Sequence, residues 1–400
     1  MLNKIFLFSF IFLLNFLLVR AETDTLKVYS VNPVKLIELR GSFIINKLED
    51  NEAFKKLISK ADNLLDMKPV SVMDKSQAPP SGDKHDYMSM GPYWWPNPDT
   101  KDGLPYIRKD GERNPEIYKI TDHVYEGKMT NAVYSLSLAH YITNDPKYSK
   151  KAVQLIRVWF LDDSTKMNPN LNYAQGIPGI CTGRGIGIIE LSSIYNIIDA
   201  VKILETSNEW SGKDDEKIRN WLEKYLNWLT ISQYGNDEFN WKNNHGSWYD
   251  LQTASIALFL GKVELAKEII ERVKTKRIDL QIKPDGKQPL ELERTKSWGY
   301  SVFNLNALFH LAYLGDNVGV DLWNYETPDG GSIRKALDYI LPFTLNMDEW
   351  KYEQIQKIDI DSIYPLLILA EKKFNKNIYS DWKKKIFNGK NKGQIFNLLY

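Results

Sequence analysis

The chain has 400 residues and carries 52 Lys and Arg against 51 Asp and Glu, a formal charge of +1. So even a balance excludes the broad basic field of nucleic-acid and membrane-surface proteins, and any polyanionic partner has to be met by a local basic site. A single cysteine, Cys181, excludes an intrachain disulfide, so the fold rests on its core.

Residues 1–21, MLNKIFLFSFIFLLNFLLVRA, place Lys4 before an apolar run from Ile5 to Val19 and end on the small Ala21. That is the pattern of a secretory signal peptide. Its removal takes Lys4 and Arg20, leaving +1 − 2 = −1 on residues 22–400. No later stretch is long and apolar enough for a membrane anchor. The expectation is a periplasmic or secreted protein without an anchor after cleavage, in which 22–400 forms one domain of a size that toroidal folds reach.

Apolar residues recur at helical spacing over much of the remainder. Residues 32–68 read as helical, and the spacing predicts helices over 131–143, 149–161, 186–204, 214–232, 249–261, 263–275 and 301–315. Asp214 and Asp215 occupy an expected N-cap and first turn, and Gly261 and Gly315 expected helix ends. Helix following helix across short turns implies an all-α fold. Antiparallel helix pairs wrapped around a central cleft, as an α/α toroid or incomplete barrel, suit the pattern. Two stretches lack it. Residues 85–116 are rich in proline and glycine, and so long an irregular segment is uncommon unless it binds something. Residues 172–187, NYAQGIPGICTGRGIG, lead into a predicted helix with Arg184 at its mouth.

Two segments are dense in chemistry. WKNNHGSWYD, residues 241–250, sets Asn244 and His245 just before a predicted helix, where an imidazole can project from a loop. His140 and His310 lie within apolar runs and read as structural, while His123 stays undecided. In ELERTKSWGY, residues 291–300, Arg294, Lys296, Trp298 and Tyr300 fall close together, either as a helix start with a buried tryptophan or as a basic pocket edged by a phenol. The histidines form no pair at ligand spacing, and neither a G-x-S-x-G elbow nor a phosphate-binding glycine loop occurs. No metal or other cofactor is expected.

A basic pocket with a phenol at its edge suits a polymer of uronic acids. Breaking such a chain by β-elimination means removing a weakly acidic C5 proton beside a carboxylate. An amide and an imidazolium or guanidinium on that carboxylate stabilise the enolate-like species. A base takes the proton, and an acid protonates the departing O4. A tyrosine whose pKa is lowered by neighbouring cations is expected to serve both steps when they lie on one face.

YWWPNP (93–98), NNHGSWYD and ELERTKSWGY, in that order, resemble the alginate lyase family of α/α-toroid polysaccharide lyases over roughly residues 85–345. The spacing in RTKSWGY is nearer to the broader uronan lyases of that fold. The resemblance implies that Asn244, His245 and Arg294 engage a uronate carboxylate and that Tyr300 moves protons. Around them, Tyr93, Trp94, Trp95, Gln175, Arg184, Trp248, Tyr249, Lys296 and Trp298 are the expected contacts to an anionic polysaccharide, alginate before glucuronan.

Two other readings compete. A glycoside hydrolase would need two carboxylic acids facing each other, with Glu190, Asp250, Glu291 and Glu293 as candidates. A non-catalytic sugar-binding protein would need only the stacking rings Tyr93, Trp94 and Trp95.

Overall fold

Residues 26–400 are described by the computed structural model, so the expected signal peptide lies outside the described residues. Helices dominate. They start where the sequence supplies side-chain caps: Asn32 accepts from Val34 N and Lys35 N ahead of α1 (Pro33–Ile44), and Asn51 caps α2 (Glu52–Leu64). In α3 (Asp122–Thr143) the chain ends in a left-handed Asn144, and Asp145 at once caps α4 (Pro146–Ile156). So short a link forces α3 and α4 antiparallel. Next come α5 (Ile194–Leu204), α6 (Gly212–Ile231), α7 (Gln233–Asn240), α8 (Asn244–Phe259) and α9 (Val263–Val273). The chain closes with α10 (Ser297–Asp316), α11 (Ile333–Ile340), α12 (Tyr364–Lys373) and α13 (Lys376–Phe387).

α3 packs against α4 and α5, α8 against α9 and α10, and α12 against α13, giving the expected α/α toroid. One apolar cluster is built from the N-terminal helices, α8–α10 and the C-terminal helices, and another from α3–α6. α8 serves both, because Trp248, Leu251 and Ala254 face the first and Tyr249, Ile256 and Phe259 the second. A helix gripped from both sides is buried all round, and within α8 only His245 escapes full burial.

Several boundaries differ from those the spacing predicts. α8 and α10 begin at Asn244 and Ser297, several residues early, so that both chemistry-bearing segments become helix N-termini. Asp214 is not the cap of α6 but the third residue of a capping box closed by Ser211. Gly261, at φ +75°, does follow a helix end, whereas Gly315 lies within α10, where a Cβ would come 2.4 Å from Val320 O. The helix predicted from 186 starts as a 3₁₀ turn, Gly185–Leu191.

The irregular stretch contributes β1 (Met88–Met90), β2 (Trp94–Trp95) and β3 (Ile107–Arg108). β2 pairs antiparallel with β3, and β1 runs parallel to β4 (Tyr173–Gly176), joining the two irregular segments beside one cleft. Their root is an ion pair without solvent contact, Lys75 Nζ to Asp122 Oδ2 at 2.9 Å, and the same carboxylate accepts from Met88 N. Burial pushes Asp122 up to about 6 and Lys75 down, so each charge depends on the other. Lys75→Met leaves a buried carboxylate unpaired and is expected to cost about 3–5 kcal/mol in denaturant unfolding. Adding Asp122→Asn is expected to recover part of that loss. A double variant as unstable as the sum of the singles would contradict the coupling.

Candidate active site

The corner between α7 and α8 is built from behind. Arg277, almost fully buried, donates from Nη1 to Trp241 O and from Nη2 to Phe239 O, each at 2.9 Å, and from Nε to Asp250 at 2.7 Å. Its guanidinium thus satisfies carbonyls that the end of α7 leaves open. It lies so close to α8 that a Cβ on Gly246 would stand 2.4 Å from Nη1 and 2.3 Å from Trp241 O, which is why this position is glycine.

On this corner Asn243 caps α8 by accepting from His245 N. Asn244 donates through its backbone N and its Nδ2 to the two oxygens of Glu291, both at 2.7 Å. His245 Nδ1 is 2.8 Å from Glu238 Oε1. Glu238 and Glu291 are both buried. Burial raises the Glu291 carboxyl to about 7 against the pull of the Asn244 bonds, and it raises Glu238 against the pull of His245.

Across the cleft, Tyr300 at the start of α10 donates to Tyr93 Oη at 2.8 Å, with the Arg294 guanidinium 3.8 Å from its ring centre. Arg294 is forked onto Asp110 through Nε and Nη2, at 3.1 and 2.9 Å. Although burial opposes it, Arg294 holds Asp110 down to about 2 with help from Arg108. Arg184 donates to Gln175 O and Oε1, at 3.1 and 2.9 Å, and forms no ion pair among the described residues. It is therefore a cation with neutral partners, lying 5.8 Å from the Trp94 ring centre. Tyr93, Trp94, Gln175, Arg184, Asn244, His245, Arg294 and Tyr300 line a cleft of about 670 Å³ together with Arg108, Arg113, Trp241 and Asn243. Such a site can neutralise a carboxylate and pass protons on and off carbon and oxygen.

Residues 71–350 match the family model described as alginate lyase. The chain belongs to the alginate lyase family, and it is a polysaccharide lyase. It is similar to an alginate lyase from Bacteroides ovatus, with 39% identity over 94% of this chain and 99% of that one and a TM-score of 0.89. Alginate lyase A1-III from Sphingomonas species A1 is 16% identical over 81% of this chain and 88% of that one, at a TM-score of 0.53. A variant of A1-III complexed with a tetrasaccharide is 15% identical over 85% of each chain, at 0.54. At such identities the likeness to A1-III is one of fold. No curated protein sequence matches this chain.

The lyase brings Tyr93, Trp94, Gln175, Arg184, Asn244, His245, Arg294 and Tyr300 to one cleft wall or another. Other expected contacts lie elsewhere. Trp248 packs on Phe303 with ring centres 4.6 Å apart, and Tyr249 donates to Leu229 O, because both continue down a helix that is buried all round. Trp298 is 1% exposed and stands edge-on to Trp350, so it is a core residue. Trp95 turns its indole N–H to Glu112 O, and the Lys296 ammonium lies over Tyr93, 4.9 Å from its ring centre; neither lines the cleft. The expectation of a lowered tyrosine pKa is also corrected: burial and Tyr93 outweigh Arg294 and raise the Tyr300 phenol.

Of the acids considered for a hydrolase, Asp250 is paired with Arg277, Glu291 stands behind Asn244 and Glu293 is on the surface. Glu190 does line the cleft, and so does Glu126, which the sequence reading passed over. Glu126 is bonded to Ser193, three residues from Glu190, which puts both acids on one wall. His123, undecided from sequence, also lines the cleft, with its Nδ1 buried and unbonded among the described residues. His140 and His310 are buried, as expected of structural residues.

Three tryptophans separate cleft from core. Trp94→Ala is expected to raise KM for the polymer with little effect on Tm, and Trp95→Ala to change KM less. Trp298→Ala is expected to cost about 3–5 kcal/mol of stability. Steady-state kinetics and thermal melts on the three variants check the assignment, and unchanged KM in Trp94→Ala would contradict it.

Proposed function

We propose that this lyase cleaves 4-linked polyuronates, with alginate the foremost candidate, by metal-independent β-elimination that leaves a 4,5-unsaturated uronate end. The observation that carries the proposal is the convergence of Asn244, His245, Arg184, Arg294 and Tyr300 on one cleft. Asn244, with Arg184 and the Nη1 of Arg294, supplies donors and positive charge for the substrate carboxylate, the work a metal would otherwise do. Arg294 already shares its other nitrogens with Asp110, which leaves Arg184 the less compensated cation.

With its pKa raised, Tyr300 rests as a neutral phenol, the form suited to protonating O4. His245 is the complementary base for the C5 proton. C5–H breaks toward the imidazole, the C4–C5 double bond forms, C4–O4 breaks, and the phenol proton goes to O4. Variants of A1-III complexed with a tetrasaccharide support a saccharide ligand for this fold. A glucuronan substrate would present the same carboxylate on a different ring stereochemistry. The Lys4 to Ala21 pattern supports export to the periplasm or medium, with residues 22–400 as the catalytic domain.

Purified protein incubated with polymannuronate, polyguluronate and glucuronan is expected to generate near-ultraviolet absorbance from unsaturated ends on at least one polymer, undiminished by EDTA. Cleavage without that absorbance would indicate hydrolysis instead. In the same assay Tyr300→Phe is expected to lower kcat by ~10²–10⁴-fold with binding and folding nearly intact. Turnover within about threefold of the unmodified enzyme would remove Tyr300 from proton transfer, given the factor such groups contribute.

A further inference from the structure

Glu238 stands directly behind His245. It lies in α7 with no solvent exposure, and its Oε1 meets the Nδ1 of His245 at 2.8 Å. Its Oε2 is buried without a hydrogen-bond partner among the described residues. Nearby Arg277 does not bond it, since that guanidinium is spent on Asp250 and the carbonyls of Phe239 and Trp241. Glu238 therefore ties no element to another except through the imidazole. A buried carboxylate with one oxygen unsatisfied works against stability, so its presence calls for a return elsewhere.

We propose that Glu238 is a positioning residue of this lyase: it holds His245 in the Nδ1–H tautomer with a bare Nε2 toward the cleft, and it stabilises the imidazolium formed when Nε2 takes the C5 proton. The inference rests on the β-elimination reading above and deepens it. A neutral imidazole donates through one ring nitrogen and accepts through the other, and a carboxylate can only accept. Bonding Nδ1 to Glu238 thus leaves Nε2 as the lone-pair nitrogen, and His245 lines the cleft. When the proton arrives, the carboxylate faces a full positive charge at hydrogen-bond distance, in a site with little water to screen it. The same device orients the base in hydrolytic triads.

Other charges face this pair from every side, with Glu291 behind Asn244, Arg277 beneath the corner and Arg184 across from α7. The phenols of Tyr225 and Tyr249 lie close enough to feel Glu238. Of these, Glu238 alone bonds the ring.

Glu238→Gln keeps an acceptor but removes the charge, and Glu238→Leu removes both. The Gln variant is expected to lose on the order of 10²-fold in kcat with KM little changed. The acidic limb of its kcat/KM profile is expected to move to lower pH, because an imidazolium without its counter-charge gives up its proton more readily. The Leu variant is expected to lose more activity. Neither is expected to lower Tm, because the carboxylate removed was incompletely satisfied; a merely structural residue would behave in the opposite way. Nitrogen-15 spectra of the imidazoles are expected to show the Nδ1–H form of His245 in the unmodified protein and its loss in the Leu variant.

Wild-type kcat with an unmoved acidic limb in Glu238→Gln would overturn the proposal. So would activity lost only in step with Tm, or an Nε2–H tautomer in the unmodified protein. If no polyuronate yields unsaturated product, the lyase chemistry fails, and the nitrogen spectra still decide whether Glu238 sets the tautomer.

Discussion

Asn244 and His245 are adjacent residues at the start of a helix, and each is bonded from behind by its own buried carboxylate, Glu291 for the amide and Glu238 for the imidazole. A helix N-terminus already favours negative charge in front of it, through free N–H groups and the helix dipole. Binding both side chains from the protein side fixes which of their atoms remain for the cleft. The arrangement tolerates almost no slack. Gly246 and Arg277 are packed too closely for a side chain at 246, and Arg277 in turn is held by Asp250 one helical turn further along. The toroid can be seen as the means of holding that corner, because α8 is clamped by both apolar clusters.

The opposite side of the cleft follows a different electrostatic logic. There the irregular stretch of residues 85–116 brings Asp110 to Arg294 and Tyr93 to Tyr300, so a cation and a phenol are each paired before any substrate arrives. Arg184 is left with an amide and a carbonyl for company. A chain with almost no net charge can in this way offer a polyanion a concentrated positive site, since the charges are local and partly shielded from water. Glu126 and Glu190 on one wall set a limit to that positive region.

The helical periodicity and the chemistry-bearing segments were legible in the sequence because both are local. Asn244, His245, Arg294 and Tyr300 stand out as polar or ionisable residues at breaks in an apolar pattern, and the fold brings them together. Trp248, Tyr249 and Trp298 sit in the same dense segments but point inward, a distinction that turns on where each helix starts. Asn243 and its cap carried that signal for α8, since a helix beginning there runs residues 248 and 249 into the core. Glu238 and Asp110 could not be read as partners of His245 and Arg294. Acids in a helix and in a loop are ordinarily solvated, and only tertiary packing shows one buried and the other forked onto a guanidinium. The direction of the Tyr300 shift escaped for the same reason, since the nearby arginine is visible in the sequence and the burial that outweighs it is not.

The most direct test of the account is the position of a bound uronate. A crystal structure of the Tyr300→Phe variant with an uncleaved alginate oligosaccharide is expected to place one carboxylate within hydrogen-bond distance of Asn244 Nδ2 and an arginine of the cleft. His245 Nε2 should face C5 of the same sugar while Nδ1 stays on Glu238. A carboxylate held elsewhere in the cleft, with His245 turned away from the sugar, would contradict it.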